Sequence, residues 1–459
     1  LIEKKRSVRK LYTESLIGRG DITMEEAEQA LKDYQQQLER VFTEVREATS
    51  APEHWTTVPD YPSKIREEYQ TAVPMETLKR IADAYVSVPE GFTVHPKVLP
   101  QLQRRSAAIT QGPIDWGTGE ILAFGSLLMD GRPVRLAGQD SRRGTFAQRF
   151  ATLIDRKNAD EWTPLANLSD DQASFYVYDS LLSEYAALGF EYGYSVARPD
   201  ALTLWEAQFG DFVNGAQTVI DEFISSSATK WGQTSGVVLL LPHGYEGQGP
   251  DHSSARIERF LTVAADEAMV VAQPSTPANH FHLLRKHTLD DEHRPLVIFT
   301  PKSMLKRKEA ASQPGDFTSG SFQRVIGDHE VVPEQVDTLL LCSGRITWDL
   351  MVERAKRQKE GFTTAIARIE QLYPRPMEEI RAELNRYPNL STVRWVQDEP
   401  LNMGPAPHFR VNLLPNLGRR VEVIARPESS SPSVGQHSRH VQEQKDLLDQ
   451  AFASANPGA

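Results

Sequence analysis

Glu184 is the residue whose surroundings most suggest chemistry. It lies in the segment Asp179–Tyr194, with Leu181, Leu182, Tyr185, Ala186, Ala187, Leu188 and Phe190 around it. A helix this apolar is expected to be buried nearly all round. A carboxylate on it is costly unless it is paired, hydrogen-bonded or protonated, and a group held that way is suited to exchanging a proton with a ligand. The bland alternative is a glutamate reaching water at a domain edge. Three other segments carry reactive types. Trp205–Gly215 sets Phe209 and Phe212 among small polar residues. Leu241–Ser254 sets His243 and His252 among three glycines and paired serines, and Arg135–Phe146 includes Gln139 and Asp140. Glycine-rich turns with an imidazole can bring backbone N–H groups and a proton carrier to an anionic substrate.

These segments need strands to position them. Short apolar runs occur at 134–137, 202–205, 237–241, 269–272 and 296–299, with segments of helical period between them. That alternation predicts a parallel sheet covered on both faces, with ligands favouring the carboxyl ends of its strands. A second unit of the same kind is expected from runs at 338–342, 364–369, 392–396 and 421–424, with helices near 348–358, 377–386 and 440–452. Before both, residues 1–113 read as a helical connector. Thr23–Glu26 forms a capping-box pattern, and Ala27, Leu31, Tyr34, Leu38, Val41 and Val45 make one stripe of a long helix. The expected divisions are therefore 1–113, 114–325 and 326–459.

Several chemistries are disfavoured. The formal net charge of −11 would repel nucleic-acid phosphates. No apolar run approaches the roughly 18–20 residues of a membrane span. The lone Cys342 lies in an apolar run, reads as a buried thiol and suits a reducing cytoplasm. Gly117-Thr-Gly119 has two of three dinucleotide glycines but no preceding strand. His280, His282, His287 and His293 crowd together in sequence, yet Thr276-Pro277 reads as a helix start that sends His280 and His282 to different sides. Lys302–Lys308 reads as a solvated basic run that could also receive an anion. The first residue is not Met, which reads as an internal cut or a processed chain.

The long strings Gly138–Phe146, Leu182–Tyr194, Trp205–Gln217 and Pro242–Arg256, in this order, resemble the thiamine-diphosphate-dependent decarboxylating first component of the 2-oxoglutarate dehydrogenase complex. Ser7–Asp21 and Ser431–His440 look most like its multifunctional actinobacterial type. The resemblance implies a transketolase-like pyrimidine-binding domain followed by a second α/β domain. It implies that Glu184 contacts the cofactor's aminopyrimidine, that Phe209 (with Phe212 as fallback) stacks on that ring, and that His252 holds substrate. His243 is implied nearer the strand, as a substrate or supporting residue. Gln139 and Asp140 fall at the site rim, and Glu120 at a contact between two pyrimidine domains. Decarboxylation of 2-oxoglutarate is the implied reaction, with succinyl transfer to a lipoyl group or carboligation to an aldehyde such as glyoxylate to follow.

The sequence departs from the family in one respect. The Gly-Asp-Gly motif that holds magnesium and the diphosphate, followed some thirty residues later by Asn, has no match here. Gly210–Asn214 has the residue types without the spacing. Magnesium ligands are therefore expected on a diphosphate-binding domain of the same polypeptide or of a homodimer partner. A lipoyl-bearing acyltransferase partner and an acetyl-CoA regulator are also implied by the actinobacterial type. The alternatives are a pyrimidine-side subunit of another 2-oxoacid dehydrogenase and a non-catalytic scaffold.

Overall fold

The computed structural model describes residues 4–48, 69–359 and 361–454. The chain divides after Glu67 into two units. The first holds α1 (Val8–Arg19) and α2 (Met24–Ala48). Ser7 caps α1 by accepting the Lys10 N–H, and Gly20 ends the helix in the left-handed region. The expected capping box forms at the start of α2: the Thr23 N–H donates to the Glu26 carboxylate at 2.7 Å, and the Glu26 N–H donates to Thr23 Oγ1 at 3.1 Å. Tyr34, Leu38, Val41 and Val45 of the predicted stripe are exposed.

The second unit begins with α3 (Met75–Ala84), α4 (Leu99–Gln111) and α5 (Trp116–Met129). Asp115 caps α5 by accepting the Thr118 N–H at 2.8 Å. This helix is apolar on all sides and buried along nearly its whole length. Packing also accounts for the glycine at 117, where a Cβ would lie 2.1 Å from the Gln148 carbonyl oxygen.

The first sheet contains β1 (Val134–Gly138), β4 (Phe175–Asp179), β5 (Leu202–Glu206), β6 (Val238–Pro242), β7 (Val270–Ala272) and β8 (Leu296–Thr300). A small hairpin, β2 (Leu153–Ile154) and β3 (Glu161–Trp162), stands apart. The second sheet contains β9 (Val325–Ile326), β10 (Thr338–Cys342), β11 (Thr364–Ile369), β13 (Thr392–Pro400) and β14 (Glu422–Arg426). A further strand, β12 (Gln371–Tyr373), leaves the second region and closes the edge of the first sheet. The orders are β12-β7-β8-β6-β5-β1-β4 and β14-β13-β10-β11-β9. All pairings in them are parallel except β12 with β7 and β9 with β11.

The apolar runs expected as strands are strands, and the central ones are buried throughout because helices cover both faces. Two sequence-distant regions therefore interlock. Gln371 pairs with Ala272, and the Gln273 N–H donates to the Glu370 carbonyl at 2.8 Å. One continuous core joins Leu239, Leu241 and Val297 of the first sheet to Leu339, Leu341 and Trp395 of the second. Among the described residues no helix is long and apolar enough to cross a membrane.

The histidine-rich helix Pro277–Leu289 starts at a Thr276 cap, as expected, and its rings diverge. His282 bonds to Thr71 Oγ1 and the Asp316 carbonyl, His287 to the Gly236 carbonyl, and His280 stacks on Trp116 at 4.7 Å. Cys342 is buried, and burial pushes its thiol pKa up to about 12. In the basic run, Arg307 pairs with Asp349 at 2.7 Å and Lys302 is buried, which leaves Lys306 and Lys308 at the surface.

Candidate active site

Strands β6, β5, β1 and β4 are neighbours, and all point the same way. The residues past their carboxyl ends therefore gather at one edge of the sheet. Gln139 and Asp140 follow β1, and Ser180–Ser183 lead from β4 into α6 (Glu184–Ala197). Phe209 and Phe212 follow β5, and His243 and His252 follow β6. This is the edge where parallel sheets hold ligands.

Glu184 is the first residue of α6. Ser183 caps the helix by accepting the Ala186 N–H, so the carboxylate sits at the positive end of the helix dipole. The Gln139 amide donates to Glu184 Oε1 at 2.9 Å. Beside the other oxygen lies Gly215, where a Cβ would come within 3.3 Å of Oε2. Glu184 is thus held from one side and left room on the other.

The aromatic residues cluster. Phe209 meets His252 edge-on at 4.4 Å between ring centroids, Phe146 at 5.5 Å and Phe212 at 5.9 Å. Phe212 lies 6.1 Å from His252. Phe209, Phe212 and His252 are half-buried, which leaves ring surface open to a ligand. Asp140 accepts a hydrogen bond from the Gln208 amide at 2.9 Å, tying the turn after β1 to the turn after β5.

His243 stands differently. It is 4% exposed, its Nδ1 accepts the Ala255 N–H at 3.1 Å, and its Nε2 lies 2.7 Å from the Glu399 carboxylate of β13. Because Nδ1 accepts, the proton sits on Nε2 and is donated to Glu399. Both ring nitrogens are occupied, so His243 joins the two sheets and is not brought into the aromatic cluster.

Two expectations require correction. α6 is not buried on all sides: Leu181 and Leu182, just before it, are 87% and 82% exposed, and Tyr185 and Phe190 are exposed as well. The helix buries only Leu188, Glu191, Tyr192 and Ser195. Apolar composition shows that a surface needs cover, not which chain supplies it; the Arg135 guanidinium lies over Phe190, while Leu181, Leu182 and Tyr185 stay exposed. Glu120, expected at a contact between two pyrimidine domains, is 3% exposed within the single chain. Arg149 donates to Glu120 at 2.7 Å and to both oxygens of Glu206 at 2.7 and 2.6 Å. Burial alone would raise the Glu120 pKa, but Arg149 and His280 bring it down to about 2.

Sequence reasoning missed this Arg149 network and Lys302. The network matters because Arg149 also donates to the Ser141 carbonyl, and Ser141 Oγ donates to Glu206, fixing the turn that carries Gln139. An arginine at 149 between Gln148 and Phe150 gave no spacing signal. Asp211 and Asn214, weighed against the magnesium motif, have separate tasks. Asp211 Oδ1 accepts the Ser253 and Ser254 N–H groups at 3.0 Å each, and Asn214 accepts from Arg259 at 2.6 Å. Among the described residues, no three His, Cys, Asp or Glu side chains converge as metal ligands.

Comparison with known proteins gives two family matches: the transketolase pyrimidine-binding domain over residues 112–308, and the 2-oxoglutarate dehydrogenase C-terminal domain over residues 311–452. The chain is 51% identical, over 99% of its length, to the multifunctional 2-oxoglutarate metabolism enzyme of Mycobacterium sp. (strain JLS). It is 50% identical, over 98% of its length, to the 2-oxoglutarate dehydrogenase E1/E2 component of Corynebacterium glutamicum. The chain spans 37% of the length of each of these relatives. It therefore joins a transketolase-type pyrimidine-binding domain to a 2-oxoglutarate dehydrogenase C-terminal domain.

Proposed function

We propose that this chain, with the remainder of its polypeptide, decarboxylates 2-oxoglutarate with thiamine diphosphate, and that Glu184 is the carboxylate acting on the cofactor's aminopyrimidine. The observation that carries this reading is the Glu184 carboxylate at a helix N-terminus, fixed by Gln139 and left room by Gly215, beside the half-buried Phe209 and His252. These residues suit a planar, hydrogen-bonding ring: a carboxylate for a ring nitrogen, an aromatic face for stacking, and a glycine gap that any side chain would fill. When bound, thiamine diphosphate supplies the electron sink that the loss of carbon dioxide from a 2-oxo acid requires.

The chain's own residues then have distinct tasks. Glu184 holds and moves a proton at the pyrimidine nitrogen, with Gln139 fixing its orientation. Phe209 would stack on the ring, with Phe212 as the fallback for that position. His252 binds the anionic substrate, and Asp140 shapes the rim. His243 acts in support, through the loop that carries His252. Magnesium and the diphosphate are held by a diphosphate-binding domain elsewhere in the polypeptide, which also covers the exposed face of α6 and excludes water. The working assembly is a cytoplasmic homodimer that passes the succinyl unit to a lipoyl-bearing acyltransferase partner or domain, or ligates it to an aldehyde. Acetyl-CoA is its proposed regulator.

The test is carbon dioxide release from 2-oxoglutarate by the complete polypeptide with thiamine diphosphate and magnesium. Glu184→Ala should abolish cofactor-dependent release, and near-normal turnover would refute the assignment. The present chain alone should show no measurable thiamine diphosphate binding by calorimetry; tight binding would overturn the shared-site reading.

A further inference from the structure

Lys302 follows the carboxyl end of β8, the strand beside β6, and is only 4% exposed. An ammonium taken out of water is expensive unless its protons are satisfied. Burial pushes its pKa down, and the nearby Glu246 and Asp211 carboxylates oppose that push. Its Nζ donates to Gln248 Oε1 at 2.6 Å and to the backbone carbonyl of His252. Both acceptors belong to the glycine-rich loop after β6. On the far side of His252, Asp211 accepts the next two backbone N–H groups at 3.0 Å each. Ser253 Oγ closes the turn on the Gly249 carbonyl at 2.7 Å. The peptide at His252 is thus gripped at its carbonyl by a cation and just after it by an anion, while the imidazole rests edge-on against Phe209.

We propose that Lys302 is a positioning residue: its buried ammonium clamps the His252 carbonyl and so sets where the imidazole meets the 2-oxo acid. The proposal rests on the reading of His252 as the substrate-holding histidine. A methionine would fill a similar volume without the desolvation cost but would make neither of these hydrogen bonds. None of these contacts uses the imidazole, so the arrangement is independent of the imidazole's own protonation.

The first test is structural. With histidine ring carbons labelled in this 459-residue chain, Lys302→Met should move the His252 ring resonance and leave that of His287, bonded to the Gly236 carbonyl, in place. An unmoved His252 resonance would overturn the proposal. Should Lys302→Met fail to fold, Gln248→Ala removes the lysine's other acceptor at the surface. It should move the same resonance by a smaller amount, and no movement would again overturn the clamp.

The second test uses the complete polypeptide. Lys302→Met should lower kcat/KM for 2-oxoglutarate at least about tenfold, as loss of one charge-assisted hydrogen bond predicts. The affinity for thiamine diphosphate should stay within about twofold, since Glu184 and Gln139 are untouched. In a His252→Ala background, Lys302→Met should cost less than about twofold more. Equal losses in both backgrounds would place the effect of Lys302 somewhere other than His252. If the wild-type polypeptide released no carbon dioxide from 2-oxoglutarate, the functional reading would fall, and the ring resonance would still decide the clamp.

Discussion

Arg149→Met removes a cation lying between two buried carboxylates. In the native chain the Arg149 side chain is fully buried and bonds to Glu120, to both oxygens of Glu206 and to the Ser141 carbonyl. Deleting one partner of a buried ion pair costs about 3–5 kcal/mol, because a charge is left without compensation. Losing the bond to the Ser141 carbonyl adds about 1 kcal/mol. The expected loss near neutral pH is therefore about 4–6 kcal/mol, a large share of the ~5–15 kcal/mol that holds a typical domain.

The pH dependence carries a sign. In the native chain the Glu120 pKa is depressed from 4.5 to about 2, so its contribution is complete above 4.5 and is lost as pH falls toward 2. Without Arg149, burial dominates and lifts that pKa above its unfolded value. Protonation then favours the folded state, and the deficit shrinks as the solution is acidified. Urea unfolding followed by far-UV circular dichroism, at neutral and mildly acid pH, reads both effects. In a Glu120→Gln, Glu206→Gln background the same substitution should cost less than about 1 kcal/mol beyond the lost Ser141 bond, since no carboxylate is left uncompensated. A neutral-pH loss below about 1 kcal/mol, or an equal loss in both backgrounds, would refute the ion-pair account.

Further consequences can be checked individually. Gly138→Ala would place a Cβ 2.2 Å from the Glu206 carbonyl oxygen, so backbone must move; thermal melts should show it among the most destabilising single changes at this edge. The His440 pKa is lowered to about 4, first by burial and then by Arg426, Arg345 and His437. The unfolded chain binds its proton first, so stability should fall as pH drops from about 6.5 toward 4, and His440→Gln should flatten that slope in denaturant titrations. Leu181→Ser with Leu182→Ser should change the stability of this chain by less than about 0.5 kcal/mol, as both are exposed. The pair should weaken capture of the separately expressed diphosphate-binding domain; unchanged capture would contradict the covering role of that face.

The fold was largely legible because buried parallel strands announce themselves as unbroken apolar runs, as Val238–Pro242 and Leu296–Thr300 do. The edge strand Phe175–Asp179 escaped because it is half exposed and interleaves tyrosines with apolar residues. The three-residue Gln371–Tyr373 is too short to carry a period, and only tertiary packing sends it back to the first sheet. At the site, Glu184, Gln139, Phe209, Phe212 and His252 come together because they follow four neighbouring parallel strands at one edge, Phe209 and Phe212 both after β5, which a correct strand assignment implies. Glu120 and α6 were misread for one reason: sequence shows that a group needs a partner or a cover without showing which. Glu120 found its partner in Arg149, while Leu181, Leu182 and Tyr185 beside α6 stay exposed in this chain. Lys302 was invisible in a run of basic residues because burial, unlike charge, leaves no mark on composition.

What lies against Glu184 in the assembled site decides its role. A structure of the complete polypeptide with thiamine diphosphate bound is the most direct measurement. The prediction is a Glu184 carboxylate oxygen at hydrogen-bonding distance, about 2.6–3.0 Å, from a pyrimidine ring nitrogen, with the ring stacked on Phe209. A pyrimidine ring bound by a different carboxylate, with Glu184 still held only by Gln139, would contradict it.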